Sequence, residues 1–212
     1  MKDNKSNLHP YYKVIKRILD IFIAVLAIII TSPVMLIASI MVLCDRSAKG
    51  SLIFKQNRFG KDGKLFKIYK FRTMRKDAPD EVPTGVFSDV EKYLTRPGKF
   101  LRKTSIDELP QLFNVLKGDM SIVGPRPLVR TEEEIHKLRQ KNGIYTILPG
   151  VTGWAQVNGR DMVGAEEKTE YDKEYLRRMS FWFDLKILLM TARLVVSGYG
   201  VVEGAETEKA ES

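Results

Sequence analysis

From Ile21 to Cys44 the chain runs for 24 residues without a charge, IFIAVLAIIITSPVMLIASIMVLC. As a straight helix this run would reach ~36 Å, enough to cross the ~30 Å hydrocarbon core of a bilayer. It is too long for the apolar region of a signal peptide and carries no clear small-residue cleavage site. Pro33 lies mid-run. A proline inside a straight helix costs roughly 3 kcal/mol, because it removes one backbone donor and pushes away the carbonyl four residues back. Thr31 and Ser32 bring hydroxyls that can bond the freed backbone groups. The combination suits a bend, with a mildly kinked spanning helix as the alternative. Charge separates the two. Lys2, Lys5, Lys13, Lys16 and Arg17 precede the run, and Arg46, Lys49, Lys55 and Arg58 follow it. The positive-inside rule draws both flanks to the cytoplasm. A single crossing would export one of them. A re-entrant membrane helix, broken at Ser32-Pro33, keeps both, and that is the expectation.

The formal net charge of +9 is concentrated just after this segment: residues 45–76 hold eleven Lys or Arg against Asp45 and Asp62. Such asymmetry points to an anionic partner, whether lipid headgroups, phosphates or nucleic acid. No RNA-binding aromatic motif or Cys/His finger supports nucleic acid. The single cysteine, Cys44, excludes an intrachain disulfide, fits a reducing compartment and is expected to pack at the end of the apolar run. With one Cys and only His9 and His136, a Cys/His metal cluster is excluded and Ser-His catalysis is disfavoured. No Gly-x-x-x-x-Gly-Lys-Ser/Thr loop and no Gly-x-Gly-x-x-Gly after a strand is present, so neither a P-loop NTPase nor a dinucleotide enzyme is supported.

Beyond the apolar run, residues 51–76 read as a β-hairpin around Lys61-Asp62-Gly63. Residues 77–98, with Pro79, Pro83, Gly85, Pro97 and Gly98, read as a long loop. A helix then opens either on a Ser105/Glu108 capping box or at Pro110. It presents Leu109, Leu112, Phe113 and Leu116 on one face and stops at Gly118. Residues 131–141 suggest a solvated helix with acids early and bases late. In SFWFDLKILLMTARLVVSGYG the stripe Trp182, Leu185, Leu189, Ala192 and Val196, widened by Leu188 and Val195, fits a core helix or an interfacial one. The last residues, EGAETEKAES, have the composition of a disordered tail.

Two adjacent acids, Asp107 and Glu108, stand out in this basic chain. Both candidate helix starts put them in or beside a first turn, where the helix dipole favours carboxylates, so simple end compensation is one reading. The surroundings argue for another. Arg102 and Lys103 lie just upstream, and Gly118, Gly124, Arg126 and Arg130 follow. Arginine suits bidentate phosphate contact, and glycine lets backbone donors approach closely. Acids among phosphate-binding groups make sense where a divalent cation bridges them, or where one acid attacks phosphorus.

The longer motifs carry a resemblance. KFRTM at 70–74, FLRKTSIDELPQLFNVLKGDMSIVGPRPL at 100–128, LPGVTGWAQVNGR at 148–160, YDKEYL at 171–176 and the Ser32-Pro33 break together resemble the bacterial monotopic phosphoglycosyl transferases, also called bacterial sugar transferases or undecaprenyl-phosphate sugar phosphotransferases. The match runs from about residue 11 to 200 and is similar to the short, catalytic-core form. The resemblance implies transfer of a sugar phosphate from a UDP-sugar to undecaprenyl phosphate, with release of UMP. It implies that Asp107 attacks the sugar-linked phosphorus to form a covalent phosphosugar intermediate and that Glu108 holds Mg²⁺. It also implies that Lys70, Arg102, Arg126 and Arg160 surround the phosphates. The segment TRPG at 95–98 departs slightly from the family pattern, which leaves the part played by Arg96 open. Two rivals stand beside this reading: direct transfer through a ternary complex, and a non-catalytic, membrane-bound basic module.

The expected architecture is mainly α with a short β-hairpin (α+β). Residues 1–45 would carry the re-entrant helix, 46–200 a cytoplasmic catalytic domain with interfacial amphipathic helices, and 201–212 the disordered tail. The implied place is the cytoplasmic face of the bacterial plasma membrane, among anionic lipids and without nucleic acid. No segment specifies the sugar, and the oligomeric state, a homo-oligomer included, stays open.

Overall fold

The computed structural model describes residues 11, 14–45, 51–79, 90–159 and 163–197. Arg160, the tail 201–212 and the flanking charges Lys2, Lys5, Lys13, Arg46 and Lys49 lie outside the described residues. Helix α1, Ile15–Cys44, is one continuous helix of 30 residues with Pro33 inside it. The carbonyl that Pro33 leaves without its helical donor is that of Ile29, four residues back. Ser32 Oγ donates to that oxygen at 2.8 Å, and Thr31 Oγ1 bonds Ala27 O at 2.7 Å. The neighbouring hydroxyl thus replaces the amide that proline lacks.

The two ends of α1 dock on different parts of the remaining structure. At the start, Arg17 donates to the carbonyls of Val115 (2.7 Å) and Leu116 (3.1 Å), Asp20 accepts from the Ile122 amide (3.0 Å), and Lys16 pairs with Asp184 at 2.7 Å. Lys16 and Arg17, expected as membrane-flanking charge, are docking contacts here. Ala24 enters the main core with Ile68, Leu112, Val115, Met120, Trp154, Phe183 and Ile187. Near the other end, Ala38 and Val42 pack with Phe71 and Leu101 in a second cluster. Between the docked ends, Ile29, Ile30, Leu36 and Ile37 stay 59–66% exposed. Cys44 is exposed rather than packed.

Strands β1, Ile53–Phe59, and β2, Leu65–Phe71, form the antiparallel hairpin, paired from Ile53↔Phe71 to Phe59↔Leu65. Its turn uses Asp62 (φ 56) and Gly63 (φ 71), the left-handed geometry that an Asp-Gly pair tolerates. β2 feeds both clusters, Ile68 into one and Phe71 into the other. Of the expected loop 77–98, residues 80–89 lie outside the described residues; after them α2 occupies Val90–Tyr93, and α3 begins at Arg96 and runs to Lys103. Thr95 caps α3 by accepting from the Gly98 amide at 3.0 Å. A Cβ on Gly98 would lie 2.0 Å from the Thr73 carbonyl oxygen, so only glycine lets α3 sit this close to the end of the hairpin.

The capping box is not made. Ser105 lies at φ 56 with no side-chain cap bond, and residues Ile106–Glu108 form a separate 3-10 turn. The Glu108 carboxylate is engaged by Lys70 instead. Helix α4, Gln111–Lys117, follows with Pro110 at the N-cap position and Gly118 (φ 91) closing it. Its buried face is Gln111, Leu112, Asn114 and Val115, while Phe113 is exposed. The shift toward polar residues has a cause: Asn114 Oδ1 accepts the Tyr69 amide (2.9 Å) and Nδ2 donates to Lys67 O (2.7 Å). One amide side chain therefore stands in for a missing strand along the free edge of β2.

Strand β3, Ser121–Val123, pairs in parallel with β4, Gly150–Thr152. At three residues each, these strands are too short to show a periodicity. The chains cross closely here: Gly124 N donates to Thr152 O at 2.8 Å, and a Cβ on Gly150 would fall 2.1 Å from Gly124 N. Gly118 and Gly124 thus serve a helix end and close backbone packing. Helix α5, Glu133–Lys141, is not simply solvated: it buries Ile135 and Arg139. Helices α6, Trp154–Asn158, α7, Ala165–Arg178, and α8, Phe181–Ser197, complete the body. Of the two readings of the α8 stripe, the core one is not met. Phe183, Asp184 and Ile187 are buried, whereas Trp182 and Leu189 are 75% and 64% exposed. Asp184 sets that rotation, because Lys16 and the Tyr175 hydroxyl (2.8 Å) both bond its carboxylate inside the core.

Candidate active site

The 3-10 turn between α3 and α4 presents Asp107 and Glu108 in contrasting settings. Three residues per turn separate adjacent side chains by about 120°. Asp107 turns inward and is 6% exposed. Among the described residues its carboxylate makes no hydrogen bond and no ion pair. Burial pushes its carboxyl up from the ordinary 3.8 to about 6, with Lys70 pulling the other way, Glu108 adding to the rise, and Arg102 and Arg126 opposing it. Glu108 is half-buried. Burial disfavours its charge too, but Lys70 and Arg126 outweigh burial and hold the carboxyl down at about 2. Lys70 Nζ lies 2.7 Å from Glu108 Oε1 and Arg126 Nη2 lies 3.5 Å from the same oxygen.

The lysine comes from β2 and Arg126 from the loop after β3, so the hairpin and the short parallel sheet meet at this turn. Arg102, on the last turn of α3, is held by Thr73 Oγ1 (3.1 Å) and Met74 Sδ (3.4 Å), both from the KFRTM segment. It acts electrostatically on Asp107. Lys70, Arg102 and Arg126 thus gather about the two acids. Ser32 and Pro33 stand on the exposed middle of α1, which runs on through Pro33 without the break expected there.

Three contributors went unnoticed in the sequence. Arg58 is the one buried residue of β1; its Nη2 donates to Gln56 Oε1 (2.6 Å) and its Nη1 to Pro127 O (3.3 Å). Thr73 orients Arg102. Arg139 donates to the Arg126 carbonyl (2.7 Å) and pairs with Asp172 at 2.6 Å, both side chains being almost fully buried. The inward phase of Arg58 in an alternating strand was the only available signal; the Arg139–Asp172 pair joins separate helices and left none.

Among the described residues no group of three His, Cys, Asp or Glu could hold a metal ion by itself. A Mg²⁺ ion needs less: one or two carboxylates, with waters and substrate phosphates completing the shell. Glu108 fits that requirement. It remains ionised, and both cations bond Oε1, so Oε2 has no protein partner among the described residues.

The sequence matches the Bacterial sugar transferase family over residues 11–198. The chain belongs to this family. It is 41% identical over 186 residues to the UDP-glucose:undecaprenyl-phosphate glucose-1-phosphate transferase of Escherichia coli K12, covering 84% of this chain and 39% of that protein. It is 40% identical over 199 residues to the UDP-N-acetylgalactosamine-undecaprenyl-phosphate N-acetylgalactosaminephosphotransferase of Aeromonas hydrophila, covering 90% of this chain and 46% of that protein. The chain thus spans less than half the length of these two relatives. The uncharacterized sugar transferase EpsL of Bacillus subtilis is 42% identical over 189 residues, 89% of this chain and 90% of that protein. This sugar transferase family member keeps its acid pair where its hairpin, its parallel sheet and α3 converge.

Proposed function

We propose that the protein transfers a sugar 1-phosphate from a UDP-sugar to undecaprenyl phosphate, releasing UMP, through a covalent intermediate on Asp107. The observation that carries this reading is the split between the two acids. Asp107 is buried, without a partner among the described residues and disfavoured as an anion, which suits a carboxylate nucleophile. Glu108 is held charged by two cations.

In the first step a carboxylate oxygen of Asp107 attacks the sugar-linked phosphorus. The bond from that phosphorus to the oxygen of UMP breaks, and UMP departs with the electron pair. In the second step an oxygen of the lipid phosphate attacks the same phosphorus and the Asp107 carboxylate leaves, giving a lipid diphosphate sugar. Lys70, Arg102 and Arg126 offset the phosphate charge as it shifts, with Arg160 assigned alongside them by the family motif. Glu108 would hold Mg²⁺, which when bound neutralises diphosphate charge and eases UMP departure.

A membrane setting follows from α1. Both of its ends dock on one body while its apolar middle, around Pro33, stays exposed, and the Ser32 hydroxyl bonds the carbonyl that Pro33 leaves free. This supports a helix that enters and leaves by the cytoplasmic face of the bacterial inner membrane. The exposed Trp182, Leu189 and Val195 on α8, with Phe100 and Phe113, would lie at the same interface. The hairpin lysines would meet anionic lipid headgroups.

Incubating the protein with a panel of UDP-sugars, with UMP release and intact-protein mass as readouts, tests the proposal. A phosphosugar adduct on wild-type protein supports the covalent route. UMP release only when lipid phosphate is present, with no adduct, would favour transfer within a ternary complex. No UMP release from any UDP-sugar would sink the transferase reading.

A further inference from the structure

From Ser121 to Val129 every residue is buried except Arg126. The loop after β3 thus offers one side chain to the acid turn, and Arg126 Nη2 lies 3.5 Å from Glu108 Oε1. Pro125 and Pro127, on either side of Arg126, bring no amide donor, so the loop is held through its carbonyls. Four successive ones each accept a donor from elsewhere in the chain. Pro125 O accepts from the Gly150 amide (2.9 Å), Arg126 O from Arg139 Nη1 (2.7 Å), Pro127 O from Arg58 Nη1 (3.3 Å) and Leu128 O from the Phe59 amide (3.3 Å). The outer two donors are backbone amides of β4 and β1. The inner two are guanidiniums, from α5 and β1. Both are unfavourable to bury. Arg58 is 8% exposed and forms no ion pair among the described residues. Arg139 is 3% exposed and draws on Asp172 of α7, 2.6 Å away, as its counter-charge. Core packing alone would be served at least as well by apolar side chains.

We propose that Arg58 and Arg139 are positioning residues for Arg126, fixing the reach of its guanidinium toward Glu108 and the substrate diphosphate. The assignment rests on the transferase reading above, in which Arg126 offsets phosphate charge. Neither residue touches substrate; each acts by pinning one carbonyl of the Arg126-Pro127 backbone. The hairpin thereby registers both cations that meet Glu108 Oε1. It supplies Lys70 directly from β2, and through Arg58 on β1 it holds the loop that carries Arg126. Arg139 and Asp172 tie the same loop to α5 and α7 from another direction. A cation held this firmly meets a phosphate without first being ordered, which is where positioning gains rate.

The test uses the full chain in lipid nanodiscs and a variant chosen to keep its stability. Arg139→Met with Asp172→Leu removes the buried pair as a unit, an exchange that is often neutral for folding. The double variant should lose about 10- to 100-fold in kcat/KM for the UDP-sugar that wild-type protein uses, the effect of misplacing a reacting group's partner by about 1 Å. In an Arg126→Ala background the same two changes should cost less than about twofold, because no guanidinium remains to misplace. An equal fold-loss in both backgrounds would mark a merely structural role and overturn the proposal. Arg58→Gln, alone and with Arg126→Ala, should repeat this pattern, and it decides the matter should the double variant fail to fold. Hydrogen exchange over residues 121–132 gives a readout that needs no turnover. Exchange there should be faster than wild type in the Arg139→Met, Asp172→Leu variant and in Arg58→Gln, and unchanged in Arg126→Ala. Wild-type exchange in the first two would overturn the clamp. Faster exchange in a protein that releases no UMP from any UDP-sugar would retire the transferase reading and leave the clamp on the Arg126 loop standing.

Discussion

Asp107→Asn exchanges a buried carboxylate for a neutral side chain of nearly the same shape. In the wild-type protein the folded state raises this carboxyl from 3.8 to about 6. At pH values above both, the shift corresponds to a penalty of about 3 kcal/mol for keeping the charge inside the fold. The sign follows from proton binding. The native state holds the Asp107 proton more tightly than the unfolded chain, so this group's contribution is present below about pH 4 and lost as pH rises to about 6. The substituted asparagine does not titrate. The variant should therefore be the more stable protein at pH 8, by roughly 2–3 kcal/mol, or on the order of 5–10 °C in melting temperature for a chain of this size. The gap should close toward zero near pH 4. The same variant should acquire no phosphosugar and lose turnover by orders of magnitude, because the attacking oxygen is gone. The assay pairs thermal melts from pH 4 to 8 with intact-protein mass spectrometry after incubation with UDP-sugar. An ordinary helix-end aspartate would behave oppositely, losing a fraction of a kcal/mol to about 1 kcal/mol with chemistry intact. A variant that melts below wild type at pH 8, or a gap that ignores pH, would refute the burial argument. A folded variant that still forms the adduct would refute the choice of nucleophile.

Other outcomes follow from the same geometry. The pH profile of kcat/KM should rise with pH through about 6 and then level, as Asp107 ionises; an acid limb near pH 4 would show that the nucleophile titrates as an ordinary carboxylate. Glu108→Gln should weaken Mg²⁺ affinity by more than about tenfold and lower activity with it, whereas full wild-type activity in excess chelator would remove the metal role of Glu108. Asp172→Ala leaves Arg139 buried without its partner and should cost about 3–5 kcal/mol, read as a lowered denaturation midpoint; a loss under about 1 kcal/mol would mean that water or a neighbour replaces the pair. Single cysteines near Lys5 and Lys49 should label from the same side of sealed vesicles, and labelling from opposite sides would make α1 a spanning helix.

The uncharged run, the hairpin turn at Lys61-Asp62-Gly63 and the acid pair were all legible along the chain, because each is a local pattern whose physics acts within a few residues. Pro33 with Ser32 is such a pattern: the missing amide and the hydroxyl that replaces it lie within one turn. The motifs around Asp107 and Glu108 also marked the cations Lys70, Arg102 and Arg126 as their companions. The sequence did not determine how those groups divide their work. Asp107 and Glu108 are adjacent carboxylates of similar intrinsic acidity, and only the packing of α3, β2 and the Arg126 loop buries one bare and brackets the other with two cations. The rotation of α8 depended on the same kind of distant contact. Its apolar pattern favoured the Trp182 stripe, yet Lys16 and Tyr175, remote in sequence, bond Asp184 and turn that stripe outward. Asn114 was hidden for an equivalent reason, since its amide is buried only because the edge of β2 arrives to use it. Charge and hydrogen-bond energies depend on distance and on the exclusion of water, and both are set by residues far apart in the chain.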